Sequence, residues 1–208
     1  MPTQIPYSAR KEDDVSVLAL RGTEADNPTD LATDATAVLM KWESGGRVHR
    51  GFAQALLATW PLIAPLLENV EQTLGFTGHS LGAALATLAA SKHRPTQVYT
   101  FGSPRVGNAA FTNTLAGVDV QRYVDCCDFV CRIPPAIFEY HHVGTVQYIN
   151  RNGVRQTNPT TAEIHADRAR GREEYVQHYA WKIGNVAVRE LADHAPINYV
   201  SGIIGRML

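Results

Sequence analysis

The sequence predicts an α/β domain built on a mainly parallel sheet. Short β-rich runs alternate with helical stretches between Val15 and Val124, the pattern of strands joined by crossover helices. One run passes directly into Gly78-His79-Ser80-Leu81-Gly82, a G-x-S-x-G sequence at a strand-to-helix junction. The chain of 208 residues is 45% hydrophobic, enough to fill a core without disulfides or metal staples. No internal repeat, low-complexity tract or linker divides it, so residues 1–208 are read as one domain.

Val15 to Leu20 (VSVLAL) follows the polar group Arg10–Asp14 and reads as a buried strand ending at Arg21-Gly22-Thr23. Glu24 to Ala37 is polar and holds Pro28, which suggests a loop with a short helix capped by Asp26 or Asn27. Gly45-Gly46 marks a turn. From Phe52 to Thr73 apolar residues recur at helical spacing, and Pro61 and Pro65 are expected to break or restart the helix. Thr73 to Thr77 is a second strand. Ala83 to His93 is an Ala/Leu-rich helix whose small residues permit close approach to a sheet, and Arg94-Pro95 stops it. Val98 to Phe101 is a third strand, closed by Gly102-Ser103-Pro104. Ala109 to Leu115 is helical and Val120 to Val124 is a fourth strand. Val143–Ile149 and Val154–Gln156 flank Asn152-Gly153, a hairpin signal. Ala162 to Asp193 is charged and mostly helical, with Gly171 and Gly184 as breaks.

Composition removes several classes of function. Lys and Arg number 19 against 20 Asp and Glu, a net charge of −1, which excludes a basic nucleic-acid binder. The hydrophobic content excludes a disordered chain. The longest apolar stretch, Ala55 to Leu67, is too short for a transmembrane segment and carries two prolines. Trp60 to Leu67 reads as a core-facing helix surface rather than a lipid contact. Met1 to Asp14 lacks the apolar stretch of a signal peptide. A cytoplasmic location is therefore expected on this chain, or secretion where a leader has been removed. Cys126, Cys127 and Cys131 are odd in number and tightly spaced. They are expected to be reduced, buried thiols, because CCxxxC has neither the paired CxxC zinc spacing nor a histidine partner.

The G-x-S-x-G sequence carries the chemistry. A nucleophilic serine must sit on a sharp turn so that its Oγ stands above the sheet, and that turn presses the flanking backbone together where only glycine fits. Ser80 also opens a helix, whose free N–H groups favour developing negative charge. The chain order in such sites is Ser, then Asp or Glu, then His. The acid should follow a later strand, where Asp128 and Asp125 compete. The base should lie near the C-terminus, where His194 is a candidate beside His141, His142, His165 and His178. Residue type and position alone leave both choices open. His79 adjoins the serine, but neighbours on such a turn point in different directions, so it reads as structural. Arg21 and Arg105 read as structural ion pairs.

With these residues in view, the chain resembles the class 3 lipases, the fungal-lipase-like branch of the α/β-hydrolases. The resemblance spans about Val15 to Leu208. Leu20-Arg21-Gly22-Thr23 resembles the family's F-R-G-T/S, Thr29 to Asp34 its D-W-L-T-D segment, and Val48-His49-Arg50-Gly51-Phe52 its V-H-x-G-F. Thr77 to Ala84 is the elbow, and Thr100 to Asn108 is close to the family text. Asp128 to Pro135 is similar to D-x-V-P-R-L-P-P, and Asp193-His194 with Tyr199 to D-H-x-x-x-x-Y. The resemblance implies the α/β-hydrolase fold and a triad of Ser80, Asp128 and His194. It aligns Thr23 with the oxyanion-hole residue, and Leu81 joins it by following the nucleophile. It implies two-step acyl transfer from a small-molecule or lipid ester. That reaction requires no metal or organic cofactor, and peripheral lipid contact and oligomeric state stay open.

Two departures from the family bear on function. The chain starts shortly before the R-G-T strand, which suggests a barer sheet edge or one covered by a partner subunit. The segment after Thr23, where the family carries its lid, has Leu31 as its only large apolar residue and lacks the tryptophan of D-W-L-T-D. Such a surface gains little from lipid. A preference for short- to medium-chain acyl esters with weak interfacial activation is expected. Feruloyl esterase or phospholipase A1-type activity on the same site is the alternative. From a different class comes a non-catalytic lipid-binding module of lipase fold, although it needs a broken triad. A thiol enzyme using Cys126 or Cys127 lacks a flanking base.

Overall fold

A computed structural model of the protein describes residues 7–12, 15–22, 38–68, 70, 73–182, 186 and 188–205. Along the chain come β1 (Tyr7–Glu12), β2 (Val15–Leu20), β3 (Leu39–Lys41), β4 (Arg47–His49), α1 (Arg50–Leu67), β5 (Thr73–His79) and α2 (Leu81–Lys92). Then follow β6 (Gln97–Phe101), α3 (Ala109–Thr114), β7 (Asp119–Asp125), β8 (Thr145–Ile149) and β9 (Arg155–Thr157). The helices α4 (Thr161–His178), α5 (Arg189–Ala192) and α6 (Pro196–Ile204) complete the order. A seven-stranded sheet runs β1-β2-β5-β6-β7-β8-β9. Its interior pairs are parallel, and β1 and β9 close the two edges antiparallel. The sequence-predicted strands are its centre, as the α/β reading requires.

Alternation along β5 turns Leu74 and Phe76 inward and leaves Gly75 and Thr77 partly exposed. Against that inner face lies α2, in which every residue from Gly82 to Ala90 is buried. Alanines along α2 keep its axis near the strands, where larger side chains would hold it off. The second layer is α1, which buries Phe52, Ala53, Leu56, Ile63 and Leu67. Deleting a side chain such as Phe76, 0% exposed, costs about 3–5 kcal/mol in cores of this density.

Several sequence expectations need correction. The prolines do not break α1, which runs unbroken from Arg50 to Leu67 through Pro61 and Pro65. Leu57, Pro61 and Pro65 share one exposed face, so the carbonyls that lose their N–H partner are hydrated rather than stranded in the core. Ile63 and Leu67 bear out the core-facing reading, whereas Leu62 and Leu66 are exposed. Gly171 does not interrupt α4. It is a close-approach position, where a Cβ would lie 3.1 Å from Cys126 Sγ and 3.2 Å from an Arg189 nitrogen. Nor is the edge beside β2 bare, because β1 pairs along it from Tyr7 opposite Leu20 to Glu12 opposite Val15. The hairpin at Asn152-Gly153 is present, with Gly153 at φ +76°. Among the described residues no helix is long and apolar enough to cross a membrane. Gly184 and the residues 23–37, which include the expected short helix, lie outside the described residues.

The continuity of α1 makes a prediction. Replacing Pro61 with Ala restores a helical N–H on an exposed face and should stabilise the protein by about 1–2 kcal/mol in denaturant melts. An unchanged or lowered midpoint would mean that the helix breaks at this proline.

Candidate active site

The end of β5 delivers the chain into a strained turn. Ser80 adopts φ 57° and ψ −124°, a conformation that costs a non-glycine residue of order 1–3 kcal/mol. Its N–H is anchored on the Phe101 carbonyl at 2.9 Å. A Cβ on Gly78 would stand 2.3 Å from the backbone of Gly82, and one on Gly82 would stand 2.1 Å from the Leu20 carbonyl. The first clash was expected from the motif. The second comes from β2, which the motif does not contain. Leu81 is the first residue of α2, so its N–H has no acceptor within the helix. Thr23 lies outside the described residues; Gly22 before it abuts the elbow, its ideal Cβ 3.3 Å from Gly82 N.

Above the elbow, Ser80 Oγ lies 2.9 Å from His194 Nε2, and His194 Nδ1 lies 3.0 Å from both oxygens of Asp128. A carboxylate only accepts, so Nδ1 carries the proton and Nε2 accepts from the serine hydroxyl. Asp128 is 0% exposed and His194 5%. Asp128 also accepts the Val130 N–H at 2.8 Å and the Tyr199 hydroxyl at 2.5 Å. Tyr199 in turn accepts the Asp125 N–H at 3.1 Å. The thiol of Cys131 donates to Asp128 from 3.6 Å.

The competing candidates do other work. Asp125 turns its carboxyl to the Cys126 N–H at 2.7 Å. Burial, with Asp193 nearby, pushes its pKa up to about 8. His142 donates to the Cys131 carbonyl at 2.8 Å, and burial holds its pKa well below the usual histidine value. The backbone of His141 pairs with Gly107, and His165 and His178 lie on α4. His79 Nε2 donates to the backbone carbonyl of His194 at 2.8 Å. Burial first, and the neighbouring His194 second, lower its pKa to about 4. It is thus a neutral clamp on the segment that carries His194, in keeping with its structural reading. Among the described residues Arg105 is structural but makes no ion pair: its guanidinium donates to the carbonyls of Arg132 and Pro134, which caps the turn after Asp128.

Residue-by-residue reading missed Gly102. At φ +60°, it sits where a Cβ would stand 3.0 Å from Asp128 Oδ2 and 3.1 Å from His194 Nδ1. Its signal was the Gly-Ser-Pro stop after the third strand, which reads as a turn and gives no hint of what passes over it.

A family model for "Lipase (class 3)" matches residues 17–138, more than half of the chain. The chain belongs to the class 3 lipase family. Among relatives of this lipase-family chain, the lipase of Rhizomucor miehei is 32% identical over 137 residues, covering 58% of this chain and 38% of its own. The secreted mono- and diacylglycerol lipase 1 of Fusarium solani is 35% identical over 132 residues, covering 58% and 39%. The solved structure of lipase II from Rhizopus niveus superposes with a TM-score of 0.61 at 27% identity, over 69% of this chain and 61% of that one. The α/β-hydrolase fold is thereby shown. The chain spans less than two-fifths of the length of these two curated relatives.

Two predictions follow from the site's geometry. Gly78→Ala meets backbone rather than a yielding side chain, so it should cost at least about 3 kcal/mol in denaturant melts. A variant as stable as wild type would contradict the close approach. For His79, the folded protein resists a proton that the unfolded chain takes up from pH 6.5 downward. Its contribution to stability is present above pH 6.5 and lost as pH falls toward 4. His79→Gln keeps a donor and cannot titrate, so its melting temperature should fall less over that interval than that of wild type. Equal falls would refute the neutral clamp.

Proposed function

We propose that this protein is a serine carboxylester hydrolase of lipase type, with Ser80 as nucleophile, His194 as base and Asp128 as the acid that orients it. The observation that carries this reading is the unbroken hydrogen-bond chain from Ser80 Oγ through His194 to Asp128 on a strained strand-to-helix turn. In the first step Ser80 Oγ attacks the ester carbonyl while His194 Nε2 takes its proton. Asp128 holds the imidazole in the tautomer that can accept and stabilises the charged ring. The oxyanion is received by the Leu81 N–H and, by family alignment, by Thr23. One such donor is worth about 2.7–4 kcal/mol in the transition state. His194 then protonates the leaving alcohol. Water, deprotonated by the same nitrogen, releases the acid from Ser80. The machinery is all protein, and no step calls for a metal or organic cofactor.

The substrates follow from two further lines of support. A relative named as a mono- and diacylglycerol lipase favours acylglycerol-type esters. The polar segment 24–34, with Leu31 as its only large apolar residue, favours short- to medium-chain acyl groups, because an opened lid of this composition would gain little by entering lipid.

Hydrolysis of p-nitrophenyl esters from acetate to palmitate, with Ser80→Ala beside wild type, tests both parts. Turnover should peak at short or medium chains and fall by about 10⁴-fold or more in the variant. Undiminished turnover in Ser80→Ala would remove the nucleophile assignment. A long-chain peak, or a sharp rise in rate as tributyrin passes its solubility limit, would remove the lid argument and leave the triad.

A further inference from the structure

The ester chemistry uses neither Cys126 nor Cys127, although both sit just before Asp128. Both thiols are free and fully buried, and their Sγ atoms lie 3.4 Å apart. The sequence offers them no third ligand at any metal-site spacing. The fold brings one: Asp193, 66 residues further on, accepts the Cys127 N–H at 2.9 Å. Its carboxylate and the two sulfurs lie within 4.8 Å of one another. Two thiolates about 2.3 Å from a tetrahedral zinc ion stand about 3.8 Å apart. The sulfurs are a few tenths of an ångström from that spacing, and a rotation of the Asp193 side chain by up to about an ångström brings its carboxylate into the set. We propose that Cys126, Cys127 and Asp193 form a site for one thiophilic divalent cation of the zinc and cadmium class.

Its surroundings suit that cation. The Cys127 N–H and Arg189 Nε, the latter at 3.0 Å, both fall on Asp193 Oδ2. Among the described residues Oδ1 accepts no hydrogen bond, which leaves it as the ligand oxygen. Two thiolates and a carboxylate around a divalent ion carry one net negative charge, which the Arg189 guanidinium offsets. The thiol protons now rest on Asp167 Oδ2, 3.4 Å from Cys126 Sγ, and on the Arg168 carbonyl, 3.6 Å from Cys127 Sγ. Binding expels both, so each cation releases two protons and forms two metal–sulfur bonds. Asp167 stays satisfied, since the Tyr148 hydroxyl and the Arg151 N–H groups also donate to it. A cavity of about 380 Å³, lined by Asp125, Arg189, Asp193 and Asn198, reaches the ligand carboxylate and admits water as fourth ligand. A cation here ties the turn that carries Asp128 to the segment that carries His194. It is expected to raise the melting temperature.

The test uses the reduced, chelator-stripped protein titrated with cadmium chloride. A thiolate-to-metal charge-transfer band should saturate at one equivalent, with two protons released per ion. Cys126→Ser and Cys127→Ser should each weaken binding by about 100-fold or more, and Asp193→Asn by about tenfold. Cys131→Ser should leave the band intact, because that thiol faces Asp128 instead. Thermal melts of each variant separate lost binding from lost folding. Absence of the band at one equivalent, its survival in the Cys126→Ser/Cys127→Ser double variant, or its loss in folded Cys131→Ser would each overturn the site.

Discussion

The candidate site hangs from one carboxylate that water does not reach. Asp128 is 0% exposed, and an ionised carboxylate in such a position is tenable only if hydrogen bonds replace its hydration. They come from separate parts of the chain: the Val130 N–H from the same turn, the Tyr199 hydroxyl from α6, and His194 Nδ1 from the segment between α5 and α6. Each donor fixes the carboxylate for the others, so the imidazole is oriented by a group that has little freedom to rotate. Gly102 leaves the space beside this contact clear, and His79 holds the backbone carbonyl of His194.

The second constraint is steric and belongs to the sheet. The parallel pairing of β2 with β5 sets Leu20 beside Gly78, so the end of β2 passes against the elbow at Gly82. The strain at Ser80 is sustained because β6 holds its N–H on the Phe101 carbonyl and the buried α2 follows at once. Sheet order, the glycine pair and the serine conformation are one device, in which the strand that leads toward Thr23 is also the wall that forbids a side chain at Gly82.

Much of this was legible in the sequence because apolar runs that face the core leave a strong signature. VSVLAL reads as a strand and buries Leu18 and Leu20, and the Ala/Leu run after Ser80 reads as a closely packed helix and is buried throughout from Gly82 to Ala90. Features answering to solvent or to distant contacts were not legible. The edge strand β1 (YSARKE) has no apolar run to announce it, since edge pairing is a matter of backbone. Pro61 and Pro65 signal a break by rule, yet on a hydrated face the lost N–H costs stability without ending the helix. Gly171 looks like a helix breaker until Cys126 and Arg189 are found against it. Asp125 ends β7 and Asp128 lies in the turn just beyond it, and residue type could not separate them. What separates them is orientation: one carboxyl turns to the Cys126 N–H, the other to His194.

The claim that Ser80 is made reactive by His194 held on a buried Asp128 is tested most directly by a fluorophosphonate, which labels only an activated serine. Peptide mass spectrometry should find the label on Ser80 alone. Asp128→Asn should leave the protein folded and slow labelling by about 10⁴-fold, the effect of losing the correct imidazole tautomer in a serine triad. A label on another residue, or an undiminished rate in folded Asp128→Asn, would contradict the account.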